Sequence, residues 1–254
     1  MAIKMIVTDL DGTLLRDDKT VSERTKSVLH NCREMGIKIV YATGRGGSAE
    51  RVAPSEFFDG KITMNGAIVK VNDEVVYKRL IPYLDARPIL TACNERGIRI
   101  TSEISGMHYS NFVVSDIWPQ IINFEIVDFT QHEMDAEKIY TPNPTAEDKK
   151  FIESLLPNDQ YFVITADGSD FLGQIMHNDA TKGKAVAALA QFWGVAQSEV
   201  VAFGDDFNDI DMLKYAGIGV AMGNALDEVK VVSDHECLSN EEDGAIEWIN
   251  SYIL

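Results

Sequence analysis

Cysteine is scarce in this chain. Cys32, Cys93 and Cys237 are odd in number, widely spaced and without a CxxC pair, which argues against a disulfide framework or a zinc knuckle and points to a reducing compartment. Basic residues are also in deficit: Lys and Arg total 23 against 40 Asp and Glu, a net charge of -17 at pH 7. Proteins that grip DNA, RNA or an anionic membrane neutralise phosphates with Lys and Arg. Neither nucleic acid nor membrane is therefore an expected partner, and an anionic substrate has to be held by local groups. No apolar run approaches the roughly 20 residues of a membrane-spanning helix. The opening Ile3-Lys4-Met5-Ile6-Val7 meets Asp9 before the apolar core of a signal peptide could form, so the expected location is the cytoplasm. Repeats and low-complexity tracts are missing too. What is present, 45% apolar and 25% charged residues over 254 positions, suits one large folded domain or a domain carrying a second module.

Periodicity divides the chain. Met5 to Leu10 reads as a buried parallel strand, and Val21, Thr25, Val28, Leu29, Cys32 and Met35 recur at helical spacing. Thr20 and Glu23 are placed as a capping box for that helix, with Gly36 as its stop. Ile37 to Ala42 predicts a second strand, Gly47 to Ala53 a short helix and Lys61 to Met64 a third strand, a βαβαβ start with doubly wound character. Ala67 to Val71 and Glu74 to Lys78, flanking Asn72-Asp73, predict a hairpin instead. From Pro82 to Met176 the pattern is α+β: helices at Asp85 to Arg96 and Ala146 to Leu155, strand-like pieces at Phe112 to Val114, Lys138 to Tyr140 and Tyr161 to Ile164. Strict alternation then resumes, with helices at Lys184 to Trp193, Asp209 to Tyr215 and Ala225 to Val232 and strands at Val200 to Phe203 and Ile218 to Ala221. The expected class is α/β, a doubly wound, mainly parallel Rossmann-like core of residues 1-81 and 178-254 interrupted by an inserted α+β module at 82-177. Insertion is tolerated where chain ends meet on a surface.

Four motifs carry chemistry. Asp9-Leu10-Asp11-Gly12-Thr13 ends the first strand, where open α/β sheets place their ligands. Alternate side chains of an extended segment share a face, so Asp9 and Asp11 can address one small volume. Taken alone, the motif could equally be an acidic turn. A second apolar strand ends in Gly204-Asp205-Asp206-Phe207-Asn208-Asp209. Compact oxygen donors suit Mg²⁺, while a capped helix start would use the same residues. Ala42-Thr43-Gly44-Arg45 offers a hydroxyl and successive amides for phosphate oxygens, or a plain strand-to-helix loop. Thr181-Lys182-Gly183-Lys184 opens a helix with a lysine at the end the helix dipole disfavours for cations, which leaves a functional lysine and a solvated one both open.

Together and in this order, these motifs resemble the haloacid dehalogenase superfamily of phosphohydrolases, and within it the Cof-type branch with a large α/β cap. Thr63-Met64-Asn65-Gly66-Ala67 is similar to that branch's Asn-Gly-Ala segment. The resemblance implies Asp9 as nucleophile forming an aspartyl-phosphate, and Asp11 as general acid and then base. It implies Mg²⁺ held by Asp9, the Asp11 carbonyl and Asp205, and phosphate bound by Leu10, Thr43, Gly44, Lys182 and Asn208. Asp209 would orient Lys182 or a metal-bound water from behind, whereas Asp206 occupies a position that the branch varies. The cap would close over the site and contact the leaving group. Gly106 to Asn111 is read as a substrate-facing loop, with His108 and Tyr109 its candidate specificity residues.

The expected activity is thus Mg²⁺-dependent hydrolysis of small phosphorylated metabolites, sugar phosphates or phosphorylated cofactors. Three alternatives stand beside it. A phosphotransferase would pass the phosphoryl group to a sugar hydroxyl. A signalling receiver shares the acidic, Thr and Lys chemistry but is about half as long and lacks an inserted cap. A non-catalytic module would only bind a phosphorylated ligand.

Overall fold

The run Met5–Thr8 is wholly buried, as expected of a strand covered on both faces, and it forms β1 at the centre of the first of two compact units. The computed structural model describes residues 2–53, 55–167 and 170–254. One unit comprises Met1–Lys78 and Ala180–Leu254, the other Arg79–Asp179. No helix among the described residues is long and apolar enough to cross a membrane.

In the first unit β1 is followed by α1 (Glu23–Glu34), β2 (Lys38–Ala42), β3 (Gly60–Thr63), β4 (Ile68–Val71) and β5 (Glu74–Lys78). The sequence expectation for the α1 start is corrected here. Ser22, not Thr20, is the N-cap and accepts from the Thr25 N–H at 3.0 Å. Thr20 is engaged elsewhere, its N–H and hydroxyl both donating to Asp18 Oδ1 at 2.9 and 2.6 Å. The segment after β2 is a 3₁₀ turn over Gly47–Arg51. Asn72 and Asp73, at φ +50° and +65°, form the tight turn between β4 and β5. Two successive left-handed residues match the right-handed twist of a hairpin.

The second unit runs α2 (Tyr83–Glu95), β6 (Thr101–Ile104), β7 (Met107–Ser110), β8 (Phe124–Ile126), β9 (Lys138–Pro142), α3 (Ala146–Leu155), β10 (Gln160–Asp167) and β11 (Asp170–His177). Its sheet has the order β10-β11-β9-β6-β7-β8, with Ile89, Leu90, Ile100, Phe129, Ile139, Ile152 and Ile175 in a core of its own. Two expectations fail in this unit. Gly106 to Asn111 is not a loop, because Ser105 and Gly106 turn with φ +52° and +78° and Met107–Ser110 pairs with β6. His108 is buried there, 2.9 Å from the Tyr140 hydroxyl through Nδ1, and burial lowers its pKa. Phe112 to Val114 is not a strand either: the Asn111 side chain accepts from the Ile100 N–H at 2.9 Å, Ser110 Oγ accepts from the Phe112 N–H at 3.2 Å, and the ladder ends.

The chain re-enters the first unit with α4 (Lys182–Trp193), β12 (Val200–Gly204), α5 (Ile210–Tyr215), β13 (Ile218–Ala221), α6 (Asp227–Val232), β14 (His235–Glu236) and α7 (Gly244–Tyr252). α4 starts two residues before its predicted position because Thr181 caps it. The sheet order is β14-β13-β12-β1-β2-β3-β4-β5, parallel from β14 to β3 and antiparallel in the final hairpin. The chain leaves β1 toward β2 on one side and returns to β12 on the other. That reversal makes the carboxyl ends of β1 and β12 the crevice in which such sheets bind ligands.

Tyr41 on β2 is 1% exposed, and its hydroxyl has no hydrogen-bond partner among the described residues. Its ring stands edge-on to Phe58 at 5.0 Å. An orphaned buried hydroxyl carries a desolvation penalty of about 1–3 kcal/mol. Tyr41→Phe keeps the ring and removes the orphan, so its urea midpoint should equal or exceed that of the native protein.

Candidate active site

Asp9 continues from β1, its N–H donating to Phe203 O on β12 at 3.0 Å. The neighbouring strand end thus fixes where its carboxylate sits. Opposite it stands Lys182, the first residue of α4, with a side chain 0% exposed and Nζ 2.8 Å from Asp9 Oδ1 and 2.6 Å from Asp209 Oδ1. The other oxygen of Asp209 accepts the N–H groups of Asp205 and Asp206 at 2.9 and 3.1 Å. One buried carboxylate therefore shapes the turn after β12 and aims the lysine. Asp205 Oδ1 accepts from the Thr13 hydroxyl at 2.7 Å. Gly12, at φ +76°, lies so close that a Cβ there would stand 2.3 Å from Asp205 Oδ2, and only glycine lets the first motif pass the second.

Burial raises the pKa of Asp9, Lys182 pulls it back, and the Asp209 and Asp205 charges raise it further. Asp205 is pushed up to about 6, again chiefly by burial. Lys182 is held as a cation against burial by Asp209 and Asp9. Ligand oxygens of Asp9, Asp205 and Asp209 lie within 4.8 Å of one another, a density of negative charge that calls for a cation. Both oxygens of Asp209 are already taken, whereas Asp9 Oδ2 and Asp205 Oδ2 accept nothing from the described residues. These hard oxygen donors fit a divalent cation of the Mg²⁺ or Ca²⁺ type.

The phosphate side is built by two interlocked turns. Thr43 Oγ1 accepts the Arg45 N–H at 3.2 Å, while Met64 and Asn65 donate their N–H groups to Arg45 O and Thr43 O, each at 3.0 Å. Asn65, at φ +53°, accepts from Asn208 Nδ2 at 2.9 Å. The N–H groups of Leu10 and Gly44 donate to nothing among the described residues. They are free for an anion. Asp11 receives the Arg45 fork, Nε to Oδ2 at 2.5 Å and Nη2 to Oδ1 at 2.7 Å, and Lys19 Nζ at 2.9 Å. Burial works upward on Asp11, but these bonds and charges outweigh it and hold its pKa at about 2.

The nine catalytic, phosphate-binding, metal and orienting residues expected from the sequence, Asp9, Leu10, Asp11, Thr43, Gly44, Lys182, Asp205, Asn208 and Asp209, all belong to the first unit, whereas the candidate specificity residues His108 and Tyr109 belong to the second. Lys182 joins Asp9 to Asp209 directly, and Asn208 is tied to Asn65. Five contributors were not singled out: Thr13, Lys19, Arg45, Asn65 and Asn224, whose Nδ2 donates to Gly12 O at 2.8 Å. Thr13 and Arg45 lay inside motifs already recognised, and Asn65 lay in the segment similar to the Cof-type branch. For Asn224 the sequence carried no signal.

The chain belongs to the haloacid dehalogenase-like hydrolase family, which it matches over residues 6–249. It is a Cof-type member and a phosphoric monoester hydrolase. Over 98% of its length it is 27% identical to the 5-amino-6-(5-phospho-D-ribitylamino)uracil phosphatase YitU of Bacillus subtilis (strain 168), covering 97% of that protein. It is 28% identical to the pyridoxal phosphate phosphatase YbhA of Escherichia coli (strain K12), with the whole of both chains covered (100% and 100%). Among solved structures it is similar to the subclass IIB sugar phosphatase BT4131, with TM-score 0.80, 27% identity, and 99% of this chain and 100% of that one covered.

Because Asp205 and Asp9 hold protons more tightly folded than unfolded, they contribute stability that is complete below the unfolded carboxylate pKa of about 3.9. That stability is lost as pH rises through the folded values, about 6 for Asp205. A divalent cation competes for the same oxygens. Mg²⁺ should therefore raise the thermal midpoint more at pH 8 than at pH 5, and Asp205→Asn should remove most of that gain in a thermal-shift titration.

Proposed function

We propose that this chain is a Mg²⁺-dependent phosphatase that hydrolyses small phosphorylated metabolites through a phosphorylated Asp9. The observation that carries this reading is the buried Asp9 carboxylate, with one oxygen held by Lys182 at 2.8 Å and the other open beside Asp205. Asp9 attacks phosphorus in line, the P–O bond to the leaving group breaks, and the departing alkoxide is neutralised by a proton that Asp11, a carboxylate at rest, takes up from solvent and passes on. Asp11, again a carboxylate, takes a proton from water, whose oxygen attacks phosphorus and releases Asp9 and inorganic phosphate. The Leu10 and Gly44 amides, the Thr43 hydroxyl, Asn208 and the Lys182 ammonium hold the phosphoryl oxygens as charge spreads over them. When bound, Mg²⁺ lets two anions approach and stabilises the charge of the transition state. Asp9 and Asp205 would hold it, with the Asp11 carbonyl. Asp209 touches no reacting atom and fixes Lys182 and the turn after β12.

The open Leu10 and Gly44 amides and the Lys182 ammonium suit a single phosphomonoester group, and the net charge of -17 disfavours extended polyanions. The relatives named above act on a phosphorylated ribitylaminouracil, pyridoxal phosphate and a sugar phosphate. This range supports a small organic phosphate for the present chain.

Phosphate release from a panel of such esters is the test. Native protein with Mg²⁺ should release phosphate, and chelator should stop it. Asp9→Asn, folded by circular dichroism, should lose activity by at least about a thousandfold, as removal of a covalent nucleophile does. Release that persists in Asp9→Asn would refute the covalent route.

A further inference from the structure

Asp11 is held far more firmly than a transient proton carrier requires. Both of its oxygens are bonded, by the two prongs of Arg45 at 2.5 and 2.7 Å and by Lys19 at 2.9 Å. The supports are themselves fixed. Arg45 sits between two turns, its N–H on Thr43 Oγ1 and its carbonyl accepting from Met64. Lys19, at φ +65°, lies on a loop fastened at its base by the pairing of Arg16 with Asp243 at 2.8 Å and by Asn240 Nδ2 on Leu15 O at 3.1 Å. A bidentate guanidinium fixes the plane of a carboxylate as well as its place, and Arg45 hydrogen-bonds to no other acidic side chain among the described residues.

We propose that Arg45, supported by Lys19, is a positioning residue for the second half of the reaction: it holds Asp11 as an oriented carboxylate for the attack of water on phosphorylated Asp9. This rests on the phosphatase reading above. In that half-reaction the water proton passes to Asp11, the new P–O bond forms, and the P–Oδ bond to Asp9 breaks with its electron pair returning to the Asp9 carboxylate. A carboxylate free to rotate spends little time aimed at the water, and misplacement of a base by about an ångström can cost on the order of a hundredfold. Formation of the phosphorylated Asp9 from an ester whose leaving group needs no proton makes no use of this orientation. Loss of Arg45 should therefore slow one half-reaction and let the intermediate accumulate.

The experiment is rapid-quench kinetics with 4-nitrophenyl phosphate and Mg²⁺ on the native protein, Arg45→Ala and Arg45→Lys. Arg45→Ala should give a burst of 4-nitrophenolate of about one equivalent per protein, followed by turnover slowed about ten- to a hundredfold. Arg45→Lys, which keeps the charge without the fork, should lie between it and native. Mg²⁺ binding, measured by calorimetry, should stay within about twofold of native in both variants. A slowed kcat without a burst, or a rise in KM alone, would overturn the proposal by placing Arg45 on the phosphoryl group instead. Equal turnover in all three proteins would overturn it outright. No turnover by native protein would remove the phosphatase reading and this inference with it, whereas native turnover that Asp9→Asn abolishes leaves the burst to decide this inference alone.

Discussion

A single ammonium, Lys182 Nζ, organises the site. It lies in the space between two carboxylates, with a side chain 0% exposed and Asp209 beside it equally buried. Withdrawing these charges from water costs several kcal/mol per ion unless each finds its partners, and here each does. Asp209 spends its remaining capacity on two backbone amides, Lys182 on the two acids, and only Asp9 keeps an oxygen in reserve. The nucleophile is thus pinned by a cation that is pinned in turn. Breaking such a triad by removing one member leaves a buried charge unpaired, which explains why so much local backbone geometry converges on it.

The same constraint accounts for what the sequence disclosed. Asp9, Thr43 and Asp205 each follow a strand that is buried almost throughout, because the chemistry needs a rigid edge from which to project. A rigid edge is written in contiguous apolar residues, and Lys182 follows a capping threonine just as contiguously. The bonds that complete the site are not contiguous. Arg45 reaches Asp11 across 34 residues, Asn208 reaches Asn65 across 143, and Asn224 reaches the Gly12 carbonyl across 212, and no local period encodes such meetings.

In the inserted unit the sequence misled for a different reason. Ser105-Gly106 carries the same kind of turn signal as Asn72-Asp73, yet the polar and aromatic residues after it outweighed the alternation of exposed Met107, buried His108 and buried Ser110. Polarity was read as the mark of a substrate-facing loop, while His108 finds its partner in Tyr140 inside the fold. The starts of α1 and α4 moved by two residues, to where the side chains of Ser22 and Thr181 supply the caps.

The 173 positions that separate Asp9 from Lys182 also set an order of events during synthesis. At 5–20 residues per second, roughly ten to thirty seconds pass between the emergence of the nucleophile and that of its counter-ion. Through that interval the first five strands exist without β12, the neighbour of β1, and without the cation that makes Asp9 tolerable inside. Residues Arg79–Asp179 possess a separate core and can condense in the meantime. The half-finished sheet, with β1 as an open and apolar edge, is consequently the stage at which this chain is most exposed to aggregation and has most need of a chaperone.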